Sequence, residues 1–322
     1  MKLKNSIVFA ITFISLWSCK KDDGPEIEVV PPRSLIEVAA EDDAEILEFL
    51  STHFFNYEDF LNPQEKFDYK IKFDTIAGEN GRKTSILDSG ELPGIEFGVE
   101  TISVASSSFG IDDGEVADHK LYYLIARQGS GDFPTIGDNS ILRYEGLLLN
   151  GTLFDGSSNQ PLKFYLSNPG LRVGFAQAIL KLKTGDSFTD NGDGTVSFEN
   201  YGVGVAFMPS GLAYFNTRAG SIPAYSPLIF KLDAIAYEKD TDYDGDGIPS
   251  ILEDLNGDGN LNNDNTDGDF SNSGPVYNHL DTDDDGDGIP TIEEINLDSE
   301  GKFESVRDSD GDGIPDHLDK DS

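Results

Sequence analysis

Three copies of one frame fill the last quarter of the chain: residues 242–253 (DYDGDGIPSILE), 283–294 (DDDGDGIPTIEE) and 308–319 (DSDGDGIPDHLD). Each has aspartate at positions 1, 3 and 5, glycine at 6 and an acid at 12. Residues 240–322 hold 26 acidic and 3 basic side chains, more than half of the formal charge of −37 on 322 residues. A segment with that much self-repulsion and few large apolar side chains cannot collapse on a hydrophobic core. It is a solvated tail unless a cation staples it. The spacing favours the cation, because alternate residues of such a loop turn their oxygens inward and glycine at position 6 permits the sharp bend. The candidate ligands are Asp242, Asp244, Asp246 and Glu253, then Asp283, Asp285, Asp287 and Glu294, then Asp308, Asp310, Asp312 and Asp319. A looser copy runs through Asp254, Asn256 and Asp258. The expected ion is calcium in a structural role, and the same field excludes nucleic acid as a partner.

The repeat resembles thrombospondin type 3 calcium repeats, and the lack of long flanking helices argues against paired EF-hands. At the other end, residues 1–18 pair Lys2 and Lys4 with a short apolar run, the pattern of an export signal too short to be kept as a span. The string LWSC resembles a bacterial lipobox, which implies acylation of Cys19, the single cysteine of the chain. The Lys-Lys-Asp-Asp run after it resembles the export tag of Bacteroidetes surface lipoproteins. With Cys19 so committed, no thiol is left for a disulfide, a zinc site or a nucleophile. Residues 19–34, with Pro25, Pro31 and Pro32, read as a tether.

Between these ends the periodicities change. Residues 42–55 space Ile46, Leu47, Phe49, Leu50 and Phe54 as one face of an amphipathic helix, with His53 packed on it. Residues 67–73 (FDYKIKF) alternate as a strand should, and 95–104 suggest another. A strand is expected over 119–127, a turn at Gly137-Asp138-Asn139, and a strand over 140–149. In residues 143–166, apolar runs flank Asn150-Gly151, the dipeptide that most readily supplies the positive φ angles of a hairpin turn. A third strand and a helix over 173–183 follow, then an added hairpin around DNGDG at 190–194, which reads as a plain turn rather than a calcium loop.

RYEG, LFDGSS, the helix, PSGLAYF (209–215) and GSIPAYSPLIFKL (220–232) come in the order found in FKBP-type peptidyl-prolyl cis-trans isomerases, which the chain resembles over roughly residues 121–237. The resemblance implies an α+β fold, an antiparallel sheet wrapped around one short helix. The organisation expected is a signal at 1–18, a tether at 19–34, an N-terminal extension at 35–118, the isomerase-like domain at 119–239 and the calcium-repeat tail at 240–322. It also implies the site. Tyr144, Phe154 and Asp155 line the wall, with Tyr144 and Asp155 hydrogen-bonded. Phe164 follows, Leu171 and Arg172 lead into the helix, and Phe175 is the floor. Tyr214 donates to a substrate carbonyl, while Ile222 and Phe230 close the far side. The chain departs from the family pattern at Leu162, Phe175, Arg172, Phe215 and Ala224.

An aromatic site suits such chemistry, because rotating an Xaa-Pro bond breaks no bond and needs no nucleophile or cofactor. A twisted amide has lost much of its charge separation, so an apolar pocket penalises it less than the planar ground state. The expected function is a lipid-anchored prolyl isomerase of the cell envelope, at the outer membrane, acting on proline-containing clients. A binding module without turnover and a calcium-dependent spacer or adhesion protein are the alternatives.

Overall fold

A computed structural model describes residues 31–157, 160–192, 196–272 and 274–322. The expected signal, Cys19 and most of the tether lie outside the described residues, as does part of the 190–194 turn. No helix among the described residues is long and apolar enough to cross a membrane.

The hairpin at Asn150-Gly151 joins two strands of a seven-stranded antiparallel sheet. Its strands are β1 (Glu96–Ala105), β2 (Val116–Arg127), β3 (Asn139–Leu148), β4 (Leu153–Gly156), β5 (Leu162–Tyr165), β6 (Gly202–Met208) and β7 (Leu228–Glu238). The order across the sheet is β1-β2-β6-β7-β3-β4, with β5 also paired to β3. Gly151 takes φ +83°, and Asn150 Oδ1 accepts the Thr152 amide at 3.0 Å. That turn sets Gly146 opposite Asp155 and Glu145 opposite Gly156. Since neighbouring side chains of a strand point to opposite faces, Leu142, Tyr144 and Leu148 of β3 join one apolar cluster while Ile141 and Leu147 join another.

The first cluster contains helix α2 (Val173–Ile179), which buries Phe175, Ala178 and Ile179 against Leu142, Phe230 and Leu232. The helix was expected to reach residue 183. It stops at Ile179 because the Gln128 side chain spans its exit, donating to Lys181 O at 3.1 Å and accepting from Lys183 N at 2.7 Å.

The opposite face is covered by the N-terminal extension. Its helix α1 (Leu35–Thr52) is longer than the 42–55 expected and starts at Ser34, whose hydroxyl accepts the Glu37 amide at 3.3 Å. Glu115 fixes that start by accepting from the Leu35 amide at 2.7 Å. The helix ends earlier than expected, since His53–Phe55 pairs with Phe73–Thr75 as a two-stranded ribbon. Of the expected 67–73 strand, only Phe73 is in a strand. Lys66 and Tyr69 take positive φ (67° and 54°), and the alternating aromatics build a cluster instead of a ladder. Phe67 and Tyr69 pack their rings 4.9 Å apart, with the Arg127 guanidinium 3.7 Å above Tyr69. The expected boundary at residue 118 falls inside β2, and β1 of the extension completes the sheet.

Residues 33–322 form one contact unit, so the acidic tail is folded onto this body. Its three copies share one loop. Asp242 accepts the amides of Gly245 and Gly247 at 2.7 and 3.0 Å, Asp283 those of Gly286 and Gly288 at 3.1 Å each, and Asp308 those of Gly311 and Gly313 at 2.7 and 3.1 Å. The sixth-position glycine takes φ near +98° in all three (99°, 97° and 97°), which a side chain rarely adopts. Asp254 repeats part of the pattern, accepting from Asp258 N and Gly259 N at 3.1 and 2.9 Å.

Candidate active site and cation loops

On the α2 face, β3, β4, β5, β7 and α2 each deliver one ring to a single point. Tyr144 and Phe175 lie 5.6 Å apart, Phe164 and Phe175 5.4 Å, Phe175 and Phe230 5.0 Å, and Phe154 and Phe230 5.6 Å, all edge to face. Phe175 and Phe230 are buried, whereas Tyr144, Phe154 and Phe164 are partly exposed. The surface therefore has a fixed apolar floor and an accessible rim. Gly146 lies beneath it, where a Cβ would come 2.5 Å from the Phe154 ring.

The Tyr144 hydroxyl donates to Asp155 Oδ2 at 2.7 Å, and Asp155 Oδ1 accepts the Gly156 amide at 2.8 Å. Burial first, then this carboxylate, pushes the Tyr144 phenol up to about 12, so it stays protonated and keeps donating at neutral pH. Tyr214 follows the turn Ser210–Leu212 and packs on the same cluster, as does buried Ile222, which exchanges two backbone bonds with Ala219 (2.9 and 3.1 Å). Leu171 also joins the cluster, and Arg172, the residue before α2, holds its guanidinium 4.9 Å from the centre of the Tyr214 ring. The eight residues implied by the resemblance thus share one neighbourhood, Asp155 through its bond to Tyr144.

Phe215, where the family pattern has glycine, does take a positive φ of 42°. Its ring is fully buried with Leu35 and Val38 of α1 and with Phe109. The burial that a phenyl ring gains, roughly 2 to 3 kcal/mol, outweighs the 1 to 2 kcal/mol of left-handed backbone. Asp42 of α1 holds the same loop, accepting from Ser210 N at 2.7 Å and Ser210 Oγ at 2.6 Å. The loop that bears Tyr214 is thus fastened from below by the extension.

In the tail, the carboxylates of Asp242, Asp244 and Asp246 converge to within 4.8 Å, as do those of Asp283, Asp285 and Asp287 and those of Asp308, Asp310 and Asp312. Of the position-12 acids, Glu253 meets Asp246, while Glu294 and Asp319 join none of these groups. Two further groups were not anticipated: Asp267, Asp269 and Asp281, and a buried set made of Asp246, Glu253 and Asp284. Burial, then neighbouring carboxylates, raises Glu253 to about 11 and Asp284 to about 9. Among the described residues no lysine or arginine pairs with either. Oxygen-only donors with unmet negative charge fit a hard cation such as calcium.

Comparison with known proteins divides the chain along the same line. Residues 131–235 match the family model of FKBP-type peptidyl-prolyl cis-trans isomerases, and residues 243–305 match a family described as BamM C-terminal. The chain is similar to the peptidyl-prolyl cis-trans isomerase Mip of Coxiella burnetii, 31% identical over 37% of this chain and 45% of that protein. It is also similar to FKBP-type peptidyl-prolyl cis-trans isomerase FkpA of Aeromonas hydrophila, 28% identical over 53% of this chain and 51% of the other. The chain therefore spans about half the length of these relatives. A solved structure, FkpA from Escherichia coli, aligns with TM-score 0.31 and 23% identity over 46% of this chain and 54% of that one.

Proposed function

We propose, from the premise that residues 131–235 are an FKBP-type peptidyl-prolyl cis-trans isomerase domain, that the five-ring surface around Tyr144 rotates Xaa-Pro bonds of exported polypeptide clients. The observation that supports this most is the convergence of Tyr144, Phe154, Phe164, Phe175 and Phe230 with the Tyr144–Asp155 hydrogen bond at 2.7 Å.

Planar amide resonance sets a barrier of about 18 to 20 kcal/mol. The buried floor of Phe175 and Phe230 desolvates the client's prolyl amide, which the planar form, with its larger charge separation, tolerates less than the twisted one. The Tyr144 phenol is held in place by Asp155, so it requires no reorganisation as the amide turns. Tyr214 supplies a donor to a client carbonyl from the loop that α1 fastens. The rest of the proposal places this activity in the cell envelope, with a lipid on Cys19 and structural calcium in residues 240–322.

A protease-coupled turnover assay on the full chain tests the enzyme reading. Asp155→Ala and Phe230→Ala should each lower kcat/KM by about tenfold or more, roughly 1.4 kcal/mol of transition-state stabilisation, with the circular dichroism of the fold unchanged. A folded chain inactive on every Xaa-Pro peptide would make it a binding module. For the anchor, Cys19→Ser should move the protein out of the membrane fraction, because several acyl chains are needed for lasting attachment.

A further inference from the structure

The copies of the tail frame differ at position 2, which is Tyr243 in the first, Asp284 in the second and Ser309 in the third. Both of the first two turn away from their own loop. Asp284 reaches the first copy, where its carboxylate meets those of Asp246 and Glu253 within 4.8 Å. Asp246, Glu253 and Asp284 are 1%, 2% and 2% exposed. Asp246 Oδ2 and both oxygens of Glu253 and of Asp284 have no hydrogen-bond partner. Five orphaned carboxylate oxygens at the seam of two loops are an arrangement that one bound cation relieves by giving all of them a partner. Oxygens 2.3–2.6 Å from one ion lie at most about 5 Å apart, the spacing seen here.

Tyr243 turns the other way, onto the isomerase domain. Its ring stacks on Tyr165 of β5 at 3.9 Å with planes 9° apart. The Tyr165 hydroxyl pairs with Nδ1 of fully buried His279 at 2.8 Å, and Asn262 donates to Ser167 O at 3.0 Å. Strand β5 has only four residues and one strand neighbour, β3. Its side chains alternate, so while Tyr165 faces the tail, Phe164 faces Tyr144 and Phe175. Tyr243 also lines one cleft with Phe164 and Leu171.

We propose that Asp246, Glu253 and Asp284 form an inter-repeat calcium site that latches the tail onto β5, so that calcium fixes Phe164 and completes the client cleft with Tyr243. The site joins two repeats rather than closing one loop, and the strand it braces bears part of the aromatic surface. The consequence for turnover rests on the isomerase reading above, whereas the latch itself does not.

The test uses the full chain, stripped of metal and then titrated with calcium alone. Hydrogen exchange at residues 162–168 should slow at least tenfold on adding millimolar calcium, and KM for a proline peptide should fall with it. Asp284→Asn should remove one calcium from the calorimetric stoichiometry and leave residues 162–168 exchanging at the metal-free rate. Asp310→Asn, in the third loop, should also remove one calcium but preserve the protection. Tyr243→Ala should keep the full stoichiometry and lose the protection, a combination that misfolding of the tail would not produce. Equal exchange with and without calcium overturns the latch, as does an Asp284→Asn chain that retains the wild-type stoichiometry. Calcium-dependent protection in a chain without turnover would uphold the latch and refute the isomerase reading.

Discussion

Gly146 shows how tightly single residues define the site. A Cβ there would stand 2.5 Å from the Phe154 ring and 3.1 Å from that of Phe230. Gly146→Ala should therefore push Phe154 off the rim and lower kcat/KM several-fold through KM, while thermal unfolding shifts only a few degrees because Phe154 is only partly buried. The aromatic residues and Asp155 were legible because their order along the chain matches motifs. Asp284 was not, since it occupies a frame position that carries no ligand in a single loop and acts across repeats. Its signal was an acid at position 2 in the second copy alone. Phe215 was legible as a departure, but its role depends on α1, whose packing partner no local pattern names.

Among the elements, the hairpin, β1 to β5 and α2 followed from turn chemistry and alternation, whereas β6 and β7 were not read as strands, and the misreadings came where tertiary contacts overrode local pattern. The FDYKIKF alternation serves an aromatic cluster beside Arg127, and α2 is cut short by the side chain of Gln128, the residue after β2. Strand β6, GVGVAFM, is buried at every position, as a strand covered on both faces must be. The extension supplies the cover on one of those faces, where Val203, Val205 and Phe207 pack with Ile46, Phe49 and Leu50. The link from α1 to the Tyr214 loop is the Asp42–Ser210 pair, and it has a pH signature. Burial pushes the Asp42 carboxyl up to about 6 against two hydrogen bonds from Ser210 that lower it. The folded state then holds a proton that the unfolded state has released, so this stability is present below about pH 4 and lost as pH rises through about 6. In chemical denaturation, Asp42→Asn should flatten that part of the stability profile. Asp233, also raised to about 6, remains in both chains and cancels in the difference.

For the whole molecule, charge is the organising quantity. The tail's 26 acidic side chains against 3 basic ones oppose the docking of residues 240–322 on the isomerase domain. Docking contacts such as the Tyr165–Tyr243 stack and the Tyr165–His279 bond carry no positive charge to offset that field, so neutralisation by calcium should decide whether the tail is seated. Small-angle scattering should give a radius of gyration several ångströms smaller in millimolar calcium than in chelator, with magnesium a poor substitute because it requires octahedral geometry and retains its water. An unchanged radius would contradict calcium-dependent seating. That a tail of repeats existed was plain from the sequence, but that it folds back beside the cleft was not, because its docking rests on single residues that the frame does not mark, Tyr243, Asn262 and His279.

The central claim, that the five-ring surface catalyses prolyl rotation, is tested most directly by NMR exchange spectroscopy on a short Xaa-Pro peptide with a catalytic amount of the full chain. Uncatalysed exchange takes tens to hundreds of seconds. The account predicts cis and trans peptide signals exchanging within about a second in the presence of the wild type, and a return towards the uncatalysed rate with Asp155→Ala. Peptide signals that shift or broaden on binding while the isomers still interconvert at the uncatalysed rate would contradict it.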